Sequence, residues 1–220
     1  MSPSPAPSPP PSSVRREVFY AAYGSNLSAE RFACYLAGGA APGSSHVLRG
    51  ARDPQSPVSW RALRVPGSLW FSGHTRSWGG AAAFFEPGPP GERSGAEALV
   101  RAWRIGWDQF EDVLAQENGR ATHSLHVEPG VLVEGFTMVA GSGRYDHLLC
   151  LGTLEDLPVL TFTAHGSLGP APPAAPSLGY LAHIIIGLRE AFGLDDRAVV
   201  DYLGRAPGAD PDLVRAALKP

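Results

Sequence analysis

Tyr20-Ala-Ala-Tyr-Gly-Ser-Asn-Leu-Ser-Ala-Glu-Arg31 decides how this chain is read. Val18 to Tyr23 is an apolar run rich in aromatic residues, the composition of a buried strand. Gly24 breaks the run, and apolar residues recur at helical spacing from Leu27 to Leu36. Gly24-Ser25-Asn26 is therefore predicted as the turn from a first strand into a first helix, with Ser25 or Ser28 as the helix cap. Such a turn aims backbone N–H groups one way, at the positive end of a helix dipole, and suits a carboxylate or a developing oxyanion. Geometry alone favours a plain strand-to-helix turn.

Outward from that turn, the pattern predicts strands at His46–Arg52, Val58–Val65 and Leu69–Ser72, with Pro66-Gly67 as a turn. Trp78-Gly79-Gly80 opens a strand over Ala81–Phe85, its glycines marking a bulge or a close approach of backbone to ligand. Ala96–Gly106 reads as a strand leading into a helix over Trp107–Glu117, with Asp108 as N-cap and Asn118-Gly119 as stop. Ala121–Ala140 has mixed character and no assigned structure. Tyr145–Leu151 and Val159–Ala164 read as strands. After a Pro-rich link over Gly166–Ala175, helices are expected at Ser177–Phe192, Asp195–Leu203 and Asp210–Leu218. Many short strands with an early, a central and a C-terminal group of helices imply an α+β fold with a strongly curved or closed sheet.

The chain has 220 residues, 44% of them apolar, enough for one ordinary domain core. Residues 1–16 are dominated by Ser, Pro and Ala and are expected to be a disordered tail, with a single domain over 17–220. That tail has no apolar stretch, so a cytoplasmic location is expected. A net charge of −3 supplies no basic footprint for nucleic acid or an anionic membrane, so neither is an expected partner. All basic residues but Lys219 are Arg, a bias that fits a GC-rich bacterial genome. Cys34 and Cys150 are read as reduced core residues.

Glu117 is the carboxylate that stands out. It follows Leu114 by three positions and Phe110 by seven, so it borders the buried face of its helix. It also lies in the last turn, where the helix dipole is negative. Burial and dipole both raise its pKa toward the range of a general acid/base. An exposed helix-end Glu is the plainer reading. Glu111 and Asp112 are rivals on the same helix, on the side expected to face outward.

Tyr20-x-x-Tyr23-Gly24-Ser25-Asn26-Leu27-x-x-x-Arg31 resembles the γ-glutamylcyclotransferase family, whose signature runs an aromatic strand into Tyr-Gly-Ser-Asn. Trp78-x-Gly80, Leu114-x-x-Glu117, Ser142-Gly143-x-Tyr145, Pro176-Ser177-x-x-Tyr180 and Gly187-x-x-Glu190 follow in the family's order. The resemblance implies a small mixed β-barrel with flanking helices. It implies conversion of a small γ-glutamyl amide to 5-oxoproline and a free amine, with Glu117 as general acid/base. Tyr23, Gly24, Ser25, Asn26 and Leu27 would hold the substrate through backbone N–H groups, and Tyr180 would offer a hydroxyl. No metal, nucleotide or other cofactor is implied. Two departures stand against the pattern: residues 118–141 separate the glutamate from the Ser-Gly-x-Tyr strand, and Phe162 occupies a position where relatives carry Tyr. Both leave open a non-catalytic member that binds a small carboxylate or amide, or an acyltransferase or amidase of another substrate class. The leaving amine and the oligomeric state are not specified.

Remaining signals are weaker. His123 and His126 would chelate a metal only on a helix and with a third ligand. Gly141-Ser142-Gly143 is too short for a phosphate loop. Ser25 lacks the G-x-S-x-G setting of a hydrolase nucleophile. His74 and Arg76, beside Trp78, are candidates for a pocket rim.

Overall fold

The computed structural model describes residues 16–44, 46–75, 77–88, 95–128, 137–139 and 143–164, and 172–219. Residues 1–15 of the N-terminal tail, Arg76, Gly141, Ser142 and most of the Pro-rich link lie outside these residues. The elements are β1 (Glu17–Ala22), a single 3-10 turn (Ser25–Leu27), α1 (Ala29–Ala37), β2 (Ser59–Thr75), β3 (Gly80–Pro87), β4 (Glu97–Gly106) and α2 (Trp107–Glu117). They continue with β5 (Thr137–Val139), β6 (His147–Leu154), β7 (Leu157–Thr163), α3 (Leu178–Phe192), α4 (Asp196–Leu203) and α5 (Pro211–Ala217). The fold is α+β, as expected. No helix among the described residues is long and apolar enough to cross a membrane.

The strands form one mixed sheet ordered β3-β2-β4-β1-β7-β6-β5. β1 sits at its centre, antiparallel to β4 and parallel to β7. Strand side chains alternate between faces, so β1 feeds two cores. Val18, Tyr20 and Ala22 pack with Phe32 and Leu36 of α1 and Phe110, Val113 and Leu114 of α2. Phe19, Ala21 and Tyr23 pack with α3, α4 and α5 through Leu181, Ile184, Leu188, Val199, Leu203 and Val214. Burial on both faces is why the run from Val18 is continuously apolar rather than alternating.

Several sequence expectations need correction. The sheet is not closed into a barrel. β3 curls toward β7, but a side chain bridges the two, Phe85 N–H donating to Thr163 Oγ1 at 3.1 Å, and the hydroxyl of Tyr145, just ahead of β6, donates to Ala83 O at 3.1 Å. Pro66-Gly67 is not a turn. It marks where β2 changes partner, pairing with β4 over Ser59–Pro66 and with β3 from Gly67 onward. Pro66 lacks an N–H, and a change of partner is where a missing donor costs little. His46–Arg52 is not a strand; its only sheet-like contact is a bridge from Leu48 to Gly39. Gly80 does make a close approach, but to backbone: a side chain there would collide with Pro176 and Ser177.

The C-terminal helices match their punctuation. Ser177, Asp195 and Asp210 each accept a bond from the first helical turn, and Gly193 closes α3 in the left-handed conformation. α3 matters most to the site because it lies against the Ser25–Leu27 turn. A methyl group on Gly187 would overlap the Leu27 carbonyl carbon and the Ser28 nitrogen.

In an open helix, Gly→Ala stabilises by about 1 kcal/mol. Here overpacking, which costs about 1–3 kcal/mol, should outweigh that gain. We expect Gly187→Ala to lower the thermal midpoint by at least ~2 °C in a melting experiment. An unchanged or raised midpoint would mean that α3 does not clamp the turn.

Candidate active site

Between β1 and α1 the chain makes a 3-10 turn rather than entering α1 directly. Leu27 N–H bonds back to Gly24 O at 3.0 Å and Ser28 N–H to Ser25 O at 3.1 Å. Ser28 caps α1, its hydroxyl accepting from Arg31 N–H. At the start of α1, Ala29 N–H is taken by Glu190 Oε2 at 2.9 Å. The dipole of α1 therefore serves Glu190, and the turn's donors act without it, a correction to the sequence reading.

The turn is locked from beneath. Arg101 of β4, almost fully buried, donates to Leu27 O at 3.0 Å and pairs with Glu190. Its guanidinium lies between the rings of Trp60 and Trp103, 4.3 and 3.9 Å from their centroids. Burial pushes the Arg101 pKa down, and Glu190 opposes that shift. Trp103 Nε1–H donates to Asn26 O at 2.9 Å. These bonds consume the outward-turned carbonyls and leave the Asn26 side chain free to face α2.

That side chain joins the two halves of the site. Asn26 Nδ2 donates to Glu117 Oε1 at 2.9 Å, across 91 sequence positions. It also lies 3.3 Å from the Tyr20 hydroxyl. Glu117 is half-buried at the end of α2. Burial raises its pKa; a Tyr35 hydroxyl interaction, the charge of Arg31 and the Asn26 bond oppose the rise but do not cancel it. Tyr20, Tyr23, Tyr35, Tyr145 and Tyr180 also have raised pKa values, chiefly from burial. Each is thus a neutral hydroxyl near neutral pH, able to donate.

The cavity has two parts. An open cleft of ≈ 550 Å³ is lined by Arg31, Tyr35, His74, Trp78, Glu117 and Arg144, among others. A recess of ≈ 20 Å³, room for about one water-sized group, leads inward between β1 and β3. Glu117, Ser25, Tyr145 and Tyr180 border both parts. Tyr23, Gly24, Ser25, Asn26, Glu117 and Tyr180 all line the recess. Leu27 does not; it is fully buried beneath the turn, and its N–H is already used. Phe162 lines the recess and stacks on Tyr20 with ring centroids 5.2 Å apart. The Tyr180 hydroxyl accepts from Ala83 N–H at 3.2 Å, which leaves its proton for the recess.

Other sequence candidates fall elsewhere. Glu111 and Asp112 do not face outward; both are buried and tie down loops. Asp112 accepts from Arg52 and His123 N–H, and Glu111 from Val127 N–H and His126. His123 has a positive φ of 62° and shares no helix with His126, so the two cannot chelate at helical spacing. Asp108 is exposed; Gly106 occupies the N-cap position, with Gln109 reaching back to its N–H. His74 does line the cleft. Sequence reading assigned no role to Tyr20, Arg31, Tyr35 or Tyr145. The i, i+4 spacing of Arg31 and Tyr35 was the available signal for those two.

No family model matches this chain. Histone deacetylase 5 of Arabidopsis thaliana is 30% identical over 207 residues, covering 86% of this chain but 31% of that protein. The chain thus spans about a third of that relative's length. Among solved structures, a γ-glutamyl cyclotransferase superposes with a TM-score of 0.50 at 16% identity, over 93% of this chain and 100% of its own. An uncharacterized human protein superposes equally well, at 17% identity over 93% and 99% of the two chains. The fold is that of a γ-glutamyl cyclotransferase. At these identities the likeness establishes the scaffold and leaves the chemistry to be argued from the side chains.

The Glu117 shift has a consequence for stability. A carboxyl whose pKa is raised in the folded state stabilises below its unfolded value and loses that contribution as pH rises through the folded value. The ordinary glutamate value is about 4.3. Relative to wild type, Glu117→Gln should therefore gain stability between about pH 4 and about pH 8. Urea denaturation at both pH values checks this. A difference that does not change with pH would mean that burial does not disfavour the charged form.

Proposed function

We propose that the protein is a cyclotransferase acting on a small γ-glutamyl amide. The observation that carries this reading is the 2.9 Å bond from Asn26 to Glu117, which sets a carboxylate of raised pKa against the Gly24–Asn26 turn. The substrate's α-amine attacks its own γ-carbonyl, closing a five-membered ring. The C–N bond to the leaving amine breaks, and 5-oxoproline is released. Because attack is intramolecular, positioning supplies much of the rate.

Two proton transfers and one developing charge need partners. Glu117 takes a proton from the α-ammonium and returns it to the leaving amine. A raised pKa suits both roles near neutral pH. Asn26 Oδ1 is buried without a partner among the described residues, at the wall of the recess. The recess has the size of the oxygen that becomes the oxyanion, and the Tyr180 hydroxyl with the turn's N–H groups would stabilise it there. The scheme needs no metal or covalent nucleophile.

The test is release of 5-oxoproline from γ-glutamyl dipeptides and γ-glutamyl amines, measured by mass spectrometry. Glu117→Gln should lower kcat/KM by about 10²- to 10⁴-fold, the usual share of general acid–base catalysis. In wild type the acidic limb of kcat/KM should lie above the ordinary glutamate range. Activity that survives Glu117→Gln would remove the role given to Glu117. A second reading, a non-catalytic binder of small carboxylates or amides, is favoured by the narrow recess and by Phe162 within it. Ligand binding without 5-oxoproline from any substrate would support it.

A further inference from the structure

Arg31 is 3% exposed, yet its Nε and Nη1 have no hydrogen-bond partner. Among the described residues its only hydrogen bond is from Nη2 to the Tyr35 hydroxyl, at 3.3 Å. The guanidinium lies over two aromatic rings, 4.8 Å from the Tyr35 centroid and 5.3 Å from that of Trp78. Every other deeply buried charge described here is paired: Arg101 with Glu190, Asp112 and Glu111 with Arg52. An unpaired buried cation is expensive. A fold keeps one where something else supplies the anion. Arg31 lines the open cleft beside Glu117.

We propose that Arg31 is the carboxylate receptor of this cleft. The guanidinium presents Nε–H and Nη1–H together, and that edge matches the two oxygens of a carboxylate. The rings of Tyr35 and Trp78 fix the plane of the fork, so little freedom is lost on binding. Arg31 thereby selects among γ-glutamyl amides by a group that takes no part in bond-making. It is a specificity-determining residue, distinct from the proton-transfer role of Glu117. The inference rests on the cyclotransferase reading for its choice of ligands. A γ-glutamyl substrate offers a carboxylate from two sources, the glutamyl unit and an amino-acid leaving group.

Calorimetry with three unreactive analogues, all lacking the attacking amine, separates these sources. Glutaryl-alanine carries both carboxylates, glutaryl-ethylamide only the first, and butanoyl-alanine only the second. Arg31→Met should weaken glutaryl-alanine and one single-carboxylate analogue by about 10- to 100-fold, leaving the other within about twofold. Which analogue is affected identifies the source. Arg31→Lys should weaken the same ligands by less, since it keeps charge and loses the fork. The thermal midpoint of unliganded Arg31→Met should equal or exceed that of wild type. Equal weakening of all three analogues, or of none, would overturn the proposal, and so would a lowered midpoint accompanied by uniform loss. Selective binding without 5-oxoproline from γ-glutamyl-alanine would keep the receptor and remove the cyclotransferase reading.

Discussion

The site exists because β3 is held short of β7. A sheet this strongly curled would lower its free energy by completing the ladder, since an unsatisfied edge invites pairing. Ala83 removes that drive by bonding to two tyrosines instead. Its N–H donates to Tyr180 and its carbonyl accepts from Tyr145. Thr163 meets the N–H of Phe85 in the same way. The wedge of hydroxyls holds β3 off from β1 and β7, and the recess lies in that opening. Substrate-facing donors and fold-closing bonds are here the same side chains.

The turn that faces the recess is over-determined from the opposite side. Arg101, Trp103 and Gly187 fix its carbonyls and its distance from α3, and Glu190 takes up the start of α1. A three-residue 3-10 turn has poor internal hydrogen bonding and would otherwise fray. Fixing it this firmly leaves Asn26 one productive direction, toward Glu117. Preorganisation of this kind costs stability during folding and no reorganisation later, when charge develops.

Much of this was legible in the sequence, for identifiable reasons. Helices α3 to α5 announced themselves through caps and stops that act locally, and α2 through its Asn118-Gly119 stop. Glu117 was legible because helical spacing from Phe110 and Leu114 placed it at the border of a buried face. Glu111 and Asp112 were misplaced because the surface that covers them, Arg52 and the loop from His123 to Val127, comes from elsewhere in the chain. Pro66-Gly67 has the composition of a turn, and only the pairing of β2 with two successive strands shows otherwise. The open sheet was illegible for the same reason: curvature shows in residue types, but closure depends on which side chains reach the last edge. Arg31 stood within the quoted motif without a role. An arginine three positions into a helix is ordinary until its burial and its missing partners are known.

The charges in the cleft form a balanced set, and the balance bears on how binding and chemistry are coupled. Burial pushes Glu117 toward its neutral form while Arg31, Arg144 and two polar contacts pull it back. A carboxylate docked on Arg31 would neutralise one of those pulls and bring its own negative charge near Glu117. Both effects raise the Glu117 pKa further. The ligand's α-ammonium acts the other way, adding positive charge beside the carboxylate. A substrate carrying both groups thus shifts Glu117 in opposite directions at once, and the two shifts offset one another in part. A ligand with the carboxylate alone would drive it toward protonation, which disables it as a base. Arg31 and Glu117 would then discriminate together against a ligand that brings the carboxylate without the ammonium.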